Sequence, residues 1–215
     1  MKGVFVHKPP KPRYLATWDV SILLHYLSSL YPLDTLSLRM LTIKAVSLLS
    51  LSTAQRCQTL ASFSLDSVKD SGTAMCLSAS GVLKTSRPSQ PLYTVNINNY
   101  KKLSICPCYT LRTYILATQS KRKSQNLFIS FFHKKAVCAA TIAGWIKEAL
   151  ISSGINTDIF KPHSVRGASS SAANLAGLSI SEILKTADWK SEKTFAAYYK
   201  RDILPSFSDI VLNKM

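Results

Sequence analysis

A chain of 215 residues with 47% apolar side chains suits one domain with a sizeable core. Lys and Arg number 27 against 11 Asp and Glu, and the net charge of +16 points to a polyanionic partner, nucleic acid ahead of an anionic membrane surface. No apolar run reaches the roughly 18 residues of a membrane span, no signal-peptide pattern follows Met1, and five irregularly spaced cysteines make neither a disulfide framework nor a zinc site, so they are expected to be reduced in an intracellular protein.

Residues 1–16 carry Pro9, Pro10 and Pro12 among Lys2, Lys8, Lys11 and Arg13, which predicts an extended basic arm. A helix follows, capped at Thr17 and stopping at Tyr31 before Pro32, with Val20, Leu23, Leu24, Leu27 and Leu30 on one face. A second covers 36–51, and a short third covers Cys57 to Phe63. The period then changes. Residues 75–78 and 82–84 read as strands joined at Ser80-Gly81, and 92–97 alternates as another, with a proline-containing loop over 85–91. Helical patterns return at 107–117, 141–152 and 164–175, the last two stopping near Gly154 and Gly177. Ser179 caps a helix to Thr186, and Ser191 caps another to Tyr199. The predicted fold is mostly α (α+β), a helical domain over 17–215 with a small antiparallel β-sheet insertion.

Pro162-His163-Ser164-Val165-Arg166-Gly167 opens one of these helices. His163 and Arg166, three apart, share a face at a helix N-terminus, a place suited to an anion. Alone, such a pair is weak. It is accompanied by Arg56 upstream, by Lys84 at the end of a strand, and by Trp189, which stands nine residues before Tyr198. The ordered set Arg56, Lys84, His163, Arg166, Trp189 and Tyr198 resembles the active site of the tyrosine recombinase (phage integrase) family. Within it, Lys8-Pro9-Pro10-Lys11-Pro12-Arg13-Tyr14, Thr17-Trp18-Asp19-Val20, Lys84-Thr85-Ser86-Arg87-Pro88 and Trp189-Lys190-Ser191 look most like the recombinases of DIRS-type retrotransposons.

The resemblance implies DNA cleavage and rejoining through a covalent 3′-phosphotyrosine, by a homotetramer on double-stranded DNA, inside the nucleus. The residue types suit that chemistry. Paired guanidiniums of Arg56 and Arg166 can hold the non-bridging phosphate oxygens. His163 is a base or phosphate donor. Trp189 can only donate, through its indole N–H. Lys84 is the candidate acid for the leaving 5′ hydroxyl, with Lys69 and Lys101 the other lysines flanking the strands. A tyrosine hydroxyl is the nucleophile. The family's spacing selects Tyr198, with Tyr199 the alternate; on a helix the two point about 100° apart, so only one faces the site. Lys121, Arg122, Lys123, Lys134 and Lys135 are expected to contact DNA phosphates. No metal or other cofactor is implied, and neither a carboxylate cluster nor a glycine-rich phosphate loop stands in the sequence.

The sequence departs from the family at two places. Thr59 occupies the position, three after the first arginine, where an acid usually braces that arginine. The helical clamp domain that family members carry ahead of the catalytic domain is represented here by the basic arm alone. A DNA-binding module that has lost catalysis and a type IB topoisomerase-like enzyme therefore stay open beside the recombinase reading.

Overall fold

The computed structural model describes residues 13–80, 93–189 and 191–203. Among them are eight α-helices and five short strands. Strand β1 (Ala16–Thr17) leads into α1 (Val20–Ser29), α2 (Leu38–Thr53) and α3 (Cys57–Ser62). Strands β2 (Lys69–Asp70), β3 (Ala74–Ser78) and β4 (Thr94–Asn98) follow, then α4 (Pro107–Thr118) and α5 (Ala139–Ser152). Helices α6 (Ser164–Leu175), α7 (Ile180–Ala187) and α8 (Glu192–Tyr198) precede β5 (Asp202–Ile203). The fold is therefore mostly helical with a small antiparallel sheet, as the period changes along the sequence predict.

Helix α2 is the axle. Every residue from Leu41 to Ser50 is buried, polar ones included, because α4, α5 and α6 pack around it. The hydroxyls of Thr42, Ser52 and Thr53 turn back on its own backbone, Thr42 Oγ1 to the Leu38 carbonyl at 2.6 Å. Lys44 is fully buried and donates to the Leu30 carbonyl. Burial pushes its pKa down to about 8.

The sheet runs β2-β3-β4, antiparallel throughout, with Met75 opposite Ile97 and Leu77 opposite Val95. Those four side chains are buried and their neighbours are not, so one face closes the core. The strand at Lys69–Asp70 was not expected from the sequence. Arg112 holds it to α4 through a two-pronged pair with Asp70 at 2.7 Å. The strand expected at Val82–Lys84 lies outside the described residues.

The first helix differs from the sequence reading. Its cap is Asp19, whose carboxylate accepts from the Ser21 amide at 2.8 Å, while Thr17 belongs to β1. That strand pairs in parallel with β5, Ala16 opposite Asp202 and Thr17 opposite Ile203. Two residues with cap-forming side chains stood two apart, and the distant strand claimed the first. No helix among the described residues is long and apolar enough to cross a membrane.

Candidate active site

Two left-handed turns deliver the site. At the end of α2, Ala54 takes φ 50° and ψ 30°, reversing the chain so that Gln55 and Arg56 lead into α3. At the end of α7, Asp188 takes φ 53° and ψ 51° and hands the chain to Trp189. A β-carbon in this region costs about 1 kcal/mol, so both turns are held by what surrounds them. Around them a second apolar cluster, separate from the main core, gathers Ala54, Ile183, Ala187, Trp189 and Phe195.

Helix α6 presents His163 and Arg166. Its first turn is pinned by Trp18, whose Nε1 donates to Ser164 Oγ at 2.9 Å in the interior. Arg166 is 1% exposed. Its Nη2 donates to the Ala187 carbonyl at 3.0 Å, while Nε and Nη1 are buried with no acceptor among the described residues. Its Cζ lies 5.0 Å from the Trp189 ring and 5.8 Å from the Tyr199 ring. Burial, then the charge of Arg56, pushes the Arg166 pKa down to about 10, with Tyr199, Tyr93 and Asp188 opposing. The guanidinium is charged at neutral pH, but it is in want of an anion.

Trp189 is buried, and its Nε1 likewise has no acceptor among the described residues. Its ring stacks on Phe195 at 5.4 Å and on Tyr199 at 4.3 Å. Two orphaned groups, one a guanidinium and one an indole, thus converge in a place where an unpaired donor costs about 1–3 kcal/mol. A phosphate would satisfy both.

His163 Nε2 and the Tyr199 hydroxyl are 3.2 Å apart, and the phenol donates when the ring carries its proton on Nδ1. Crowding around the imidazole, followed by the charges of Arg166, Arg56 and Arg13, pushes the His163 pKa down to about 4. The residue keeps an exposed edge, and water there softens the desolvation. The ring is neutral at pH 7 and free to take a proton. Ser171 anchors the phenol's backbone, donating to the Tyr199 carbonyl at 2.9 Å and accepting from the Arg201 amide at 3.0 Å. A cleft of about 330 Å³, lined by Arg13, Tyr14, His163, Tyr199 and Arg201 among others, opens beside the pair.

Arg56, the N-cap residue of α3, stands with Nη1 3.8 Å from the Asp188 carboxylate. The structure thus brings Arg56, His163, Arg166 and Trp189 together. Lys84 lies outside the described residues, and so does the side chain of Tyr198. The phenol seen at His163 is that of Tyr199, the alternate in the sequence reading. Of the five basic residues expected at DNA, Lys121, Lys123 and Lys135 are exposed. Arg122 turns inward to the carbonyls of Asn126 and Leu127, to Thr118 Oγ1 and over the Tyr114 ring. Lys134 donates to the Phe131 carbonyl. Sequence reasoning missed Ser171, which it placed only within the helical pattern over 164–175. It also missed Gln55, whose Nε2 joins the Tyr93 hydroxyl at 2.8 Å and the Thr186 carbonyl at 2.7 Å. No local pattern marks either.

The fold is shared with solved structures of low sequence identity. A XerH site-specific recombinase bound to a palindromic difH substrate superposes with a TM-score of 0.65 at 12% identity, over 86% of this chain and 50% of that one. XerA recombinase gives 0.65 at 14%, over 95% and 65%. A lambda integrase dimer bound to a COC′ core site gives 0.58 at 14%, over 96% and 67%. This chain spans half the length of XerH and about two thirds of XerA. No curated protein sequence matches it. The Phage integrase family matches residues 15–203, which takes in Arg56, His163, Arg166, Trp189 and both tyrosines, and the chain belongs to that family of tyrosine recombinases.

Proposed function

We propose that this domain cleaves and rejoins duplex DNA by transesterification on a tyrosine. The observation that carries the reading is the set of buried donors without acceptors among the described residues, Arg166 Nε and Nη1 and Trp189 Nε1, beside a phenol bonded to a neutral imidazole.

The chemistry follows from those groups. The Tyr199 hydroxyl attacks phosphorus and its proton passes to His163 Nε2. The P–O5′ bond breaks, the phosphate stays on the tyrosine as a 3′ ester, and a 5′ hydroxyl leaves. Arg166, Arg56 and Trp189 stabilise the charge that builds on the non-bridging oxygens. Lys84 is proposed as the acid that protonates the leaving oxygen. Attack by a 5′ hydroxyl from another strand reverses these steps and rejoins the DNA. Lys121, Lys123 and Lys135 are proposed to contact backbone phosphates. As whole-protein properties we propose recombination by a homotetramer, on the DNA of a DIRS-like mobile element, in the nucleus.

The test is a labelled duplex nicked beside the cleavage point, which lets the short 5′ product diffuse away and traps the adduct. Wild type and Tyr198→Phe form a protein–DNA species that survives boiling in detergent, and Tyr199→Phe does not. Loss only in Tyr198→Phe moves the nucleophile by one residue and keeps the enzyme. Binding without any adduct supports the non-catalytic module instead. Relaxation of a supercoil in the absence of partner sites identifies a topoisomerase-like activity.

A further inference from the structure

Arg56 stands at the start of its helix without a side-chain bond to it. It caps α3 in an extended conformation, φ −70° and ψ 148°, and its side chain makes no cap hydrogen bond. Thr59, where relatives are expected to carry a bracing acid, is buried on α3 and brings no charge. The carboxylate that does reach Arg56, among the described residues, comes from 132 positions further along, as Asp188 − Arg56 gives 188 − 56. Asp188 Oδ2 stands 3.8 Å from Arg56 Nη1, with side chains 21% and 31% exposed.

Asp188 has an unusual seat. Its left-handed backbone closes α7, its amide bonding back to Lys185 at 3.4 Å while the Trp189 amide bonds to Leu184 at 2.9 Å. Glycine makes such a turn without strain, and Asp and Asn are among the side chains that tolerate it. The turn itself has no use for a carboxylate. The site does. Arg56 and Arg166 are like charges near enough for Arg56 to disfavour the Arg166 cation, and Asp188 opposes that effect. One carboxylate facing two guanidiniums offsets their repulsion before any phosphate arrives.

We propose that Asp188 is a positioning residue for DNA cleavage, bracing Arg56 across the site in place of the acid missing at position 59. The proposal rests on the transesterification reading above. At 3.8 Å the pair is a loose ion pair, not a two-pronged hydrogen bond. It fixes where the guanidinium stands and leaves its N–H groups directed at a phosphate.

The test compares Asp188→Asn and Asp188→Gly, each alone and with Thr59→Asp, in single-turnover adduct formation on the nicked duplex. Asn keeps the left-handed turn and loses the charge. Gly removes the strain as well, so its fold is as stable as wild type or more so. Both are expected to melt no lower than wild type by more than a degree or two, to bind duplex within about twofold, and to form adduct about tenfold more slowly. Thr59→Asp is expected to restore the rate of Asp188→Asn to within about threefold, which a purely structural role at the turn would not allow. Wild-type rates in both Asp188 variants overturn the proposal. So does a slow Asp188→Asn that Thr59→Asp leaves slow while Thr59→Asp alone cleaves normally. Absence of any adduct in wild type defeats the transesterification reading itself and is distinguishable from either.

Discussion

A guanidinium that is 1% exposed and has two nitrogens without acceptors among the described residues is held ready for a ligand. Arg166→Lys keeps the charge and removes the fork, so adduct formation is expected to fall roughly 10²–10³-fold with duplex binding little changed. Equal rates for the two proteins in a single-turnover assay would show that Arg166 does not touch the transition state. His163 gives a second prediction. Its folded pKa of about 4 lies below the ordinary 6.5, so the unfolded chain binds the proton first as the pH falls. Stability from this group is intact above 6.5 and declines as the pH drops from there toward 4. NMR titration of the DNA-free protein should place the His163 midpoint near 4, and a midpoint near 6.5 would show that the crowding and the three arginines do not act on the ring. At this scale much was legible. Arg56, His163, Arg166 and Trp189 could be named as candidates because their chemistry is written in residue type and order. The place of the Tyr199 phenol was not legible, since one residue of helical phase decides it and Trp189 and Ser171 act on Tyr199 from outside the helix.

Helix α7 decides where the Ala187 carbonyl and Trp189 stand, and it is only eight residues long. A capping box starts it: Ser179 Oγ accepts from the Glu182 amide, and Glu182 Oε2 accepts from the Ser179 amide, each at 3.3 Å. Ser179→Ala is expected to cost about 1 kcal/mol, read as a lower urea midpoint with an unchanged slope. Helix α2 carries the opposite case. Lys44 is an ammonium inside the core, and its folded pKa of about 8 lies below 10.5. The fold therefore bears a burial penalty below pH 8 that is relieved as the pH climbs from 8 to 10.5. The bond to Leu30 and the Tyr31 ring 5.9 Å away offset part of it. Lys44→Met should raise the melting temperature at pH 7 by about 3 °C, with a smaller gain at pH 10. A lower melting temperature would mean that the carbonyl bond outweighs the desolvation. The capped helices were legible because Ser179, Ser191 and Pro107 mark their own starts. The strand at Lys69–Asp70 was not, because two exposed residues, of which Asp70 is held by Arg112, carry no alternation to read.

The whole domain carries a net charge of +16, and Lys121, Lys123 and Lys135 lie on its surface. Duplex affinity is therefore expected to fall by roughly a thousandfold or more between about 50 and 200 mM salt if six or more phosphates are contacted. A salt-independent dissociation constant, read by fluorescence anisotropy, would remove the backbone-contact reading. The general architecture was legible in the switch of hydrophobic period from helix to strand and back. The pairing of β1 with β5 was not, since nothing local in Ala16-Thr17 announces a partner 186 residues on, as Asp202 − Ala16 gives 202 − 16. That pairing reaches further than its two residues suggest. It fastens the backbone just beyond Tyr199 to the backbone just ahead of Trp18, and Arg201 doubles the tie by donating to the Tyr14 carbonyl at 2.7 Å. A phenol that travels to DNA by more than a side-chain rotation must pull on this ladder. Deuterium uptake at the β1 and β5 amides then becomes a clock for the Tyr199 phenol, slow while the ring rests on Trp189 and His163, and faster each time it leaves its seat.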